Sequence, residues 1–258
     1  MPWVHYLVLS GLVQPNPGVI VIRVLNQSQE FLMQSQNQSA NVECIEVQTG
    51  EAPEYSIIWL HGLDGDADRF EHVPAGMQLP KATRFIFPRG RLLAITSYQG
   101  QEMRGWYDSR GEEFGMDQDR EGIEETFEMY RFLVDRENER GIPTERIFFA
   151  GFSQGGAANY FSALRYPKKI AGIIALSTYL PFVNSIAGER TTENQKTPIL
   201  AGHGANDRAI PLTIGENDRE RLIGLGYSVE LKTYDAEHNV HPDAIKDVGA
   251  FMSAIMEK

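Results

Sequence analysis

Gly151-Phe152-Ser153-Gln154-Gly155 stands between an apolar, β-rich run at residues 147–150 and a helix-compatible run at 156–165. A strand that turns sharply into a helix crowds the residues on either side of the bend. Glycines are therefore required there, and the serine between them is lifted clear of the sheet. The helix that follows contributes unbonded backbone N–H groups and the positive end of its dipole, where a carbonyl oxygen gaining negative charge would sit. The pattern recurs by chance in glycine-rich loops. At a strand-to-helix junction, with Gly156 following, it marks Ser153 as a nucleophile.

Outward from that bend, from residue 42 on, short β-rich runs alternate with longer amphipathic stretches. The runs are 42–47, 56–60, 84–87, 146–150, 172–176, 198–201 and 229–234. Most are almost continuously apolar, as strands covered on both faces must be. The spacing predicts an α/β fold with a mostly parallel central sheet and helices on both faces. Ile123, Phe127, Tyr130 and Val134 recur at helical spacing, and Gly141 and Pro143 close that helix. The charge clusters at 112–121 and 135–140 read as its solvated flanks. A last helix begins at Pro242, with Ala244, Val248, Phe251 and Ile255 forming its apolar stripe.

Serine is a weak nucleophile at neutral pH, so Ser153 needs a histidine base and an acid to orient it, in the chain order Ser, Asp, His. Asp207 lies just past the run at 198–201, in His203-Gly204-Ala205-Asn206-Asp207, where the carboxyl end of a parallel sheet opens. Asp218, in a charged helical stretch, reads as solvated. Asp235 follows its strand at once and leaves little loop to carry it inward. His238, on the loop after the last strand, is the preferred base; His241 precedes Pro242 and reads as the start of the helix. His203 is expected to pack or hydrogen-bond within the acid's loop. His5 and His72 have no metal-ligand partner at useful spacing, and we expect no metal site and no organic cofactor. A second oxyanion donor is offered by Leu60-His61-Gly62-Leu63, so the expected donors are the backbone N–H groups of Leu63 and Gln154.

With these residues in place, the chain from residue 42 to the carboxyl end resembles the carboxylesterase and acyl-protein thioesterase (phospholipase/carboxylesterase) family of α/β-hydrolases. Leu60-His61-Gly62-Leu63 looks like the family's oxyanion loop and Gly151 to Gly156 like its nucleophile block. Tyr179-Leu180-Pro181 resembles a segment lining the acyl channel. Residues 198–211 look like the acid-bearing turn, and His238 with Val240 like the base. Two departures stand out. Asp64 occupies a position where the family commonly has Gly, and an acidic side chain there disfavours anionic leaving groups. The stretch 87–108 keeps Thr96, Gly100, Met103, Trp106, Tyr107 and Asp108, but has Gly90-Arg91, Ala94 and Tyr98 where the family has other residues. The resemblance implies a serine esterase acting on short- to medium-chain carboxylic esters or thioesters through an acyl-enzyme. Trp106, Tyr107, Leu180 and Phe182, with Leu63, are candidates for the acyl pocket, and each is equally suited to the core. The rival readings are a catalytically weak binding protein for an apolar ligand and a hydrolase of amide bonds.

The composition agrees with an enzyme of this kind. The chain has 258 residues, 42% apolar and 23% charged, enough for one large core. Lys and Arg number 24 against 35 Asp and Glu, a net charge of −11 that repels phosphate backbones, so nucleic acid is not an expected partner. The single cysteine, Cys44, cannot form an internal disulfide, and no apolar run is long enough to span a bilayer. We expect a cytoplasmic enzyme acting on a small-molecule acyl ester, with oligomeric state, including a homodimer, left open. Residues 1–41 differ in texture from the rest. An apolar stretch at 3–13, the turn Pro15-Asn16-Pro17-Gly18 and a β-rich run at 19–25 suit a hairpin, followed by a Gln-, Ser- and Asn-rich linker. They are expected to be an extension or leader without a catalytic part, ahead of a catalytic domain at 42–258.

Overall fold

The computed structural model describes residues 20–22, 42–111, 114 and 118–258. The strands are β1 (Ile20–Ile22), β2 (Cys44–Gln48), β3 (Tyr55–Leu60), β4 (Thr83–Pro88), β5 (Arg91–Ile95), β6 (Gln101–Gly105), β7 (Ile147–Phe152), β8 (Gly172–Leu176), β9 (Ile199–Gly204) and β10 (Val229–Tyr234). The helices are α1 (Arg120–Glu139), α2 (Gln154–Arg165), α3 (Ile186–Glu189), α4 (Leu212–Gly224) and α5 (Pro242–Met256). Eight strands form one sheet in the order β1-β2-β4-β3-β7-β8-β9-β10. The pairs β1–β2 and β2–β4 are antiparallel, and every pair from β4 to β10 is parallel.

Period-two alternation along the central strands divides the interior into two layers. On β3, Ile58 and Leu60 face one layer while Ile57 and Trp59 face the other; on β7, Ile147 and Phe149 oppose Phe148 and Ala150. Residues of α1 and α2, among them Tyr130, Leu133, Leu164 and Phe161, fill the first layer. Val248 and Met252 of α5 fill the second. Helices therefore cover both faces, which is why the central strands carry no polar face.

Three local readings of the sequence change. The stretch 87–108 contains an antiparallel hairpin, β5–β6, pairing Arg91 with Gly105 and Ile95 with Gln101. Its turn places Gln99 and Gly100 at φ values of 57° and 81°. Most of its side chains are exposed, so it lacks the apolar run that betrays a buried strand. The β-rich run at 19–25 supplies β1, which lies along β2 with Ile20 opposite Gln48. The other arm expected for its hairpin lies outside the described residues.

The cluster at 135–140, read as solvated, is in part a buried ion network. The Glu137 carboxylate is fully buried and accepts hydrogen bonds from Ser56 Oγ (2.5 Å), Arg84 Nη1 (2.7 Å) and Arg140 Nη1 (3.0 Å). Glu46 accepts from Arg136 Nη2 (2.7 Å) and Arg140 Nη1 (3.0 Å). The partners come from β2, β3 and β4, far from α1 in sequence, so a local charge count cannot reveal them.

Removing one member of such a network strands the charge of the others. Glu137→Ala is expected to destabilise the protein by roughly 3–5 kcal/mol in urea unfolding, because Arg84 then loses its 2.7 Å carboxylate and must share the more distant Glu46, at 4.0 Å, with Arg136 and Arg140. Cys44 is buried at the start of β2, and burial pushes its thiol up to about 12. The native protein should therefore leave a disulfide thiol reagent unreacted, and the same reagent should titrate one thiol in denaturant.

Candidate active site

Ser153 occupies the bend between β7 and α2 with φ 54° and ψ −124°, a left-handed conformation that a non-glycine residue adopts only when its surroundings hold it there. Its backbone is held on both sides. The Ser153 N–H donates to Leu176 O on β8 (2.9 Å), and Thr178 Oγ1 donates to Ser153 O (2.6 Å). A β-carbon at Gly155 would collide with the carbonyl oxygen of His61, so the loop after β3 can approach the elbow only because that position is glycine.

The structure brings Ser153, Asp207 and His238 into one hydrogen-bonded line. His238 Nδ1 lies 2.7 Å from Asp207 Oδ2, and His238 Nε2 lies 2.9 Å from Ser153 Oγ. A carboxylate accepts, so Nδ1 carries the proton and Nε2 is left to accept from the serine hydroxyl. The Asp207 side chain is fully buried, and its other oxygen accepts the N–H groups of Ala209 and Ile210, both at 2.9 Å. The loops carrying acid and base are joined through their backbones, Ala205 N–H to Tyr234 O (2.8 Å) and Asn206 N–H to Ala236 O (2.9 Å). Phe152 packs on the His238 ring at 4.9 Å between centroids.

The competing residues stand elsewhere. Asp218, expected to be solvated, is buried. It accepts the Leu180 N–H (2.7 Å) and an Arg221 N–H (2.7 Å), and burial raises its carboxyl pKa. Helix α4 turns this one face inward while its neighbours remain in water. Asp235 accepts from Asn206 Nδ2 at the surface. His241 caps α5 by accepting the Asp243 N–H, and His203 Nε2 donates to Ile210 O within the acid's loop (2.8 Å). His72 precedes a short turn at Val73, and His5 lies outside the described residues. Among the described residues no group of three or more His, Cys, Asp or Glu side chains is arranged to hold a metal ion, and no helix is long and apolar enough to cross a membrane.

Residues 62–65 form a tight turn closed by Gly65 N–H to Gly62 O (3.0 Å) and tied to β6 by Asp64 N–H to Arg104 O (2.8 Å). A β-carbon on Gly62 would sit 3.1 Å from Ser153 Cβ, which places this turn against the nucleophile. The amide N–H groups of Leu63 and Gln154 make no hydrogen bond to another protein group among the described residues. Local spacing does not reveal the side chains that hold this turn. His61 is buried, with Nδ1 donating to Gly62 O (2.7 Å) and Nε2 accepting the Gly90 N–H (2.8 Å). Burial holds its pKa below the ordinary histidine value, consistent with a neutral ring that can accept. Gln154 also uses its side chain, accepting from Trp106 N–H (3.0 Å) and donating to Tyr107 O (2.8 Å).

Of the acyl-pocket candidates, Trp106, Tyr107 and Leu180 lie in the core beside α1 and α2. The Tyr107 hydroxyl meets that of Tyr179 at 2.8 Å. Phe182 is half-buried against Phe161, with the Arg120 guanidinium over its ring. Leu63 is partly exposed.

Residues 42–256 match the sequence profile of the family described as Phospholipase/Carboxylesterase. The chain is 32% identical over 211 residues to acyl-protein thioesterase 1 of Gibberella zeae, covering 76% of this chain and 88% of that protein. It is 32% identical over 182 residues to the carboxylesterase SOBER1 of Arabidopsis thaliana, covering 69% and 80%. The crystal structure of SOBER1 superposes with a TM-score of 0.73 at 28% identity, covering 78% of this chain and 99% of that one. Acyl-protein thioesterase 2 of Zea mays gives the same TM-score at 21% identity over 84% of this chain and 100% of that one, a likeness of fold.

Asp64 has φ 55°, a backbone conformation that glycine adopts without cost and that a β-branched side chain resists. Asp64→Gly is therefore expected to leave stability within ~0.5 kcal/mol of wild type or raise it, whereas Asp64→Val should lose roughly 1–2 kcal/mol. Thermal or urea unfolding of the two variants checks the difference in sign.

Proposed function

Because the chain belongs to the phospholipase/carboxylesterase family of α/β-hydrolases and is an esterase-type hydrolase, we propose that it cleaves short- to medium-chain carboxylic esters or thioesters through a Ser153-His238-Asp207 triad and an acyl-enzyme. The observation that carries this reading is the pair of hydrogen bonds made by one imidazole, to Ser153 at 2.9 Å and to Asp207 at 2.7 Å, from loops 85 and 31 residues apart in sequence. These bonds join distant, chemically matched groups at a strained elbow. They are what nucleophile activation requires.

In this mechanism the carbonyl carbon is attacked by Ser153 Oγ while His238 Nε2 takes the hydroxyl proton. Asp207 keeps the imidazole in the tautomer that can accept and stabilises the imidazolium that forms. The amide N–H groups of Leu63 and Gln154 face the tetrahedral oxyanion, adding to the dipole of α2. His238 then protonates the departing alcohol or thiol, and the acyl group stays on Ser153. Water attacks next, with its proton going to the same nitrogen, and the carboxylic acid leaves. Leu63 lines the acyl side, with Trp106 and Tyr107 behind it. Residues 42–258 form the catalytic domain of what we take to be a cytoplasmic enzyme.

Ser153→Ala should lower kcat on a p-nitrophenyl ester by roughly four to six powers of ten while its circular dichroism stays that of wild type. A fluorophosphonate should label the wild type at Ser153 with stoichiometric loss of turnover. Near-normal hydrolysis by the alanine variant would sink the assignment. Running the wild type over p-nitrophenyl esters of increasing length, beside an acyl thioester, reads the chain length and the ester-to-thioester preference directly.

A further inference from the structure

Trp106 follows the last residue of β6 and is 2% exposed, yet every polar group it owns is engaged. Its backbone N–H donates to Gln154 Oε1 (3.0 Å), and its indole Nε1–H donates to His61 O (2.6 Å). Its backbone oxygen accepts from Thr126 Oγ1 on α1 (2.6 Å) and from Arg91 Nη2 (3.1 Å). The indole also packs on the His61 ring, with centroids 4.7 Å apart.

The two recipients of its donated bonds matter most. Gln154 is the residue whose backbone N–H faces the oxyanion from the elbow. His61 precedes the turn that carries the Leu63 N–H, and its own ring holds Gly62 O and the Gly90 N–H. One residue, its backbone oxygen held by Thr126 of α1, is thus bonded to both segments that bear the donors, through its backbone N–H on one side and its indole N–H on the other. Plain packing requires an aromatic of this size but not this pair of bonds. Tryptophan is a donor only, so its indole N–H must find an acceptor when buried, and here the acceptor is the carbonyl of His61, which leads into the oxyanion turn.

We propose that Trp106 is a positioning residue that sets the separation between the Leu63 and Gln154 amide N–H groups, its backbone fixing the elbow side and its indole N–H fixing the turn. The proposal rests on the serine-esterase reading above. It also gives a buried side chain that cannot touch substrate a role in the rate. Oxyanion donors act only when aimed at the oxygen of the tetrahedral species, so a loosened turn weakens transition-state binding and leaves ground-state binding alone.

Trp106→Phe removes the indole N–H while keeping most of the ring. Deleting an oxyanion donor outright costs about 10²–10³ in kcat, and a displaced donor should cost part of that. The variant is expected to lose roughly ten- to a hundredfold in kcat on a p-nitrophenyl ester with KM within about twofold. Its affinity for an alkyl boronic acid, which mimics the tetrahedral species, should fall in parallel, while affinity for the product carboxylate stays. The acid limb of the kcat/KM profile should not move, because the bonds of His238 are untouched. Gln154→Met keeps the backbone N–H and drops both side-chain bonds to the 106–107 segment; it should show the same pattern, and if Trp106→Phe folds poorly a wild-type kcat in Gln154→Met overturns the elbow half of the proposal and with it the claim that Trp106 sets the separation. Wild-type-like kcat and boronic acid affinity, whatever the change in melting temperature, would make Trp106 a packing residue and overturn the proposal. A loss of rate accompanied by a shifted acid limb would overturn it too. Turnover surviving in Ser153→Ala would instead remove the esterase reading, a result read from a different variant.

Discussion

The backbone of Ser153 is bent into a left-handed conformation that its own side chain opposes, and the neighbouring structure is arranged to hold that bend. Strand β8 receives its N–H, Thr178 clamps its carbonyl, and Gly155 leaves room for the loop after β3. Once the bend is held, the hydroxyl stands beyond the edge of the sheet where β9 and β10 also end. Loops leaving those strands can then bring a carboxylate and an imidazole to it. The parallel arrangement of β3, β7, β8, β9 and β10 is what makes the convergence possible, since all five strands deliver their carboxyl ends to the same side.

Two histidines near this bend are put to different chemical uses by their surroundings. His238 is partly exposed, and its ring is held between a buried carboxylate and the Ser153 hydroxyl. His61 is buried with a backbone N–H aimed at its Nε2, and its depressed pKa keeps that nitrogen an acceptor. Protonating His61 would set a donor against a donor at Gly90. The division is set by burial and partners and not by residue type.

Much of the architecture was legible in the sequence because buried strands must be apolar on both faces and helix ends leave marks such as Gly141, Pro143 and Pro242. Ser153, Asp207 and His238 could be singled out because their order and their places after strands are constrained by topology. What could not be read were the features set by residues distant along the chain. The ion network around Glu137 draws on three strands, and Asp218 is buried by the loop after β8 rather than by its own helix. The β5–β6 hairpin hid because its side chains mostly face water. The side-chain bonds of His61, Gln154 and Trp106 hid because a motif records which residues are present and not what they touch.

The short strand β1 has a significance apart from chemistry. By lying antiparallel along β2, it occupies backbone N–H and C=O groups that would otherwise line an open margin of the sheet, beside a strand four of whose five residues are buried. A chain deprived of β1 would present those groups as a template for another molecule's backbone. β1 is in turn the terminal strand, three residues long where β2 has five, so the margin left open is a shorter one.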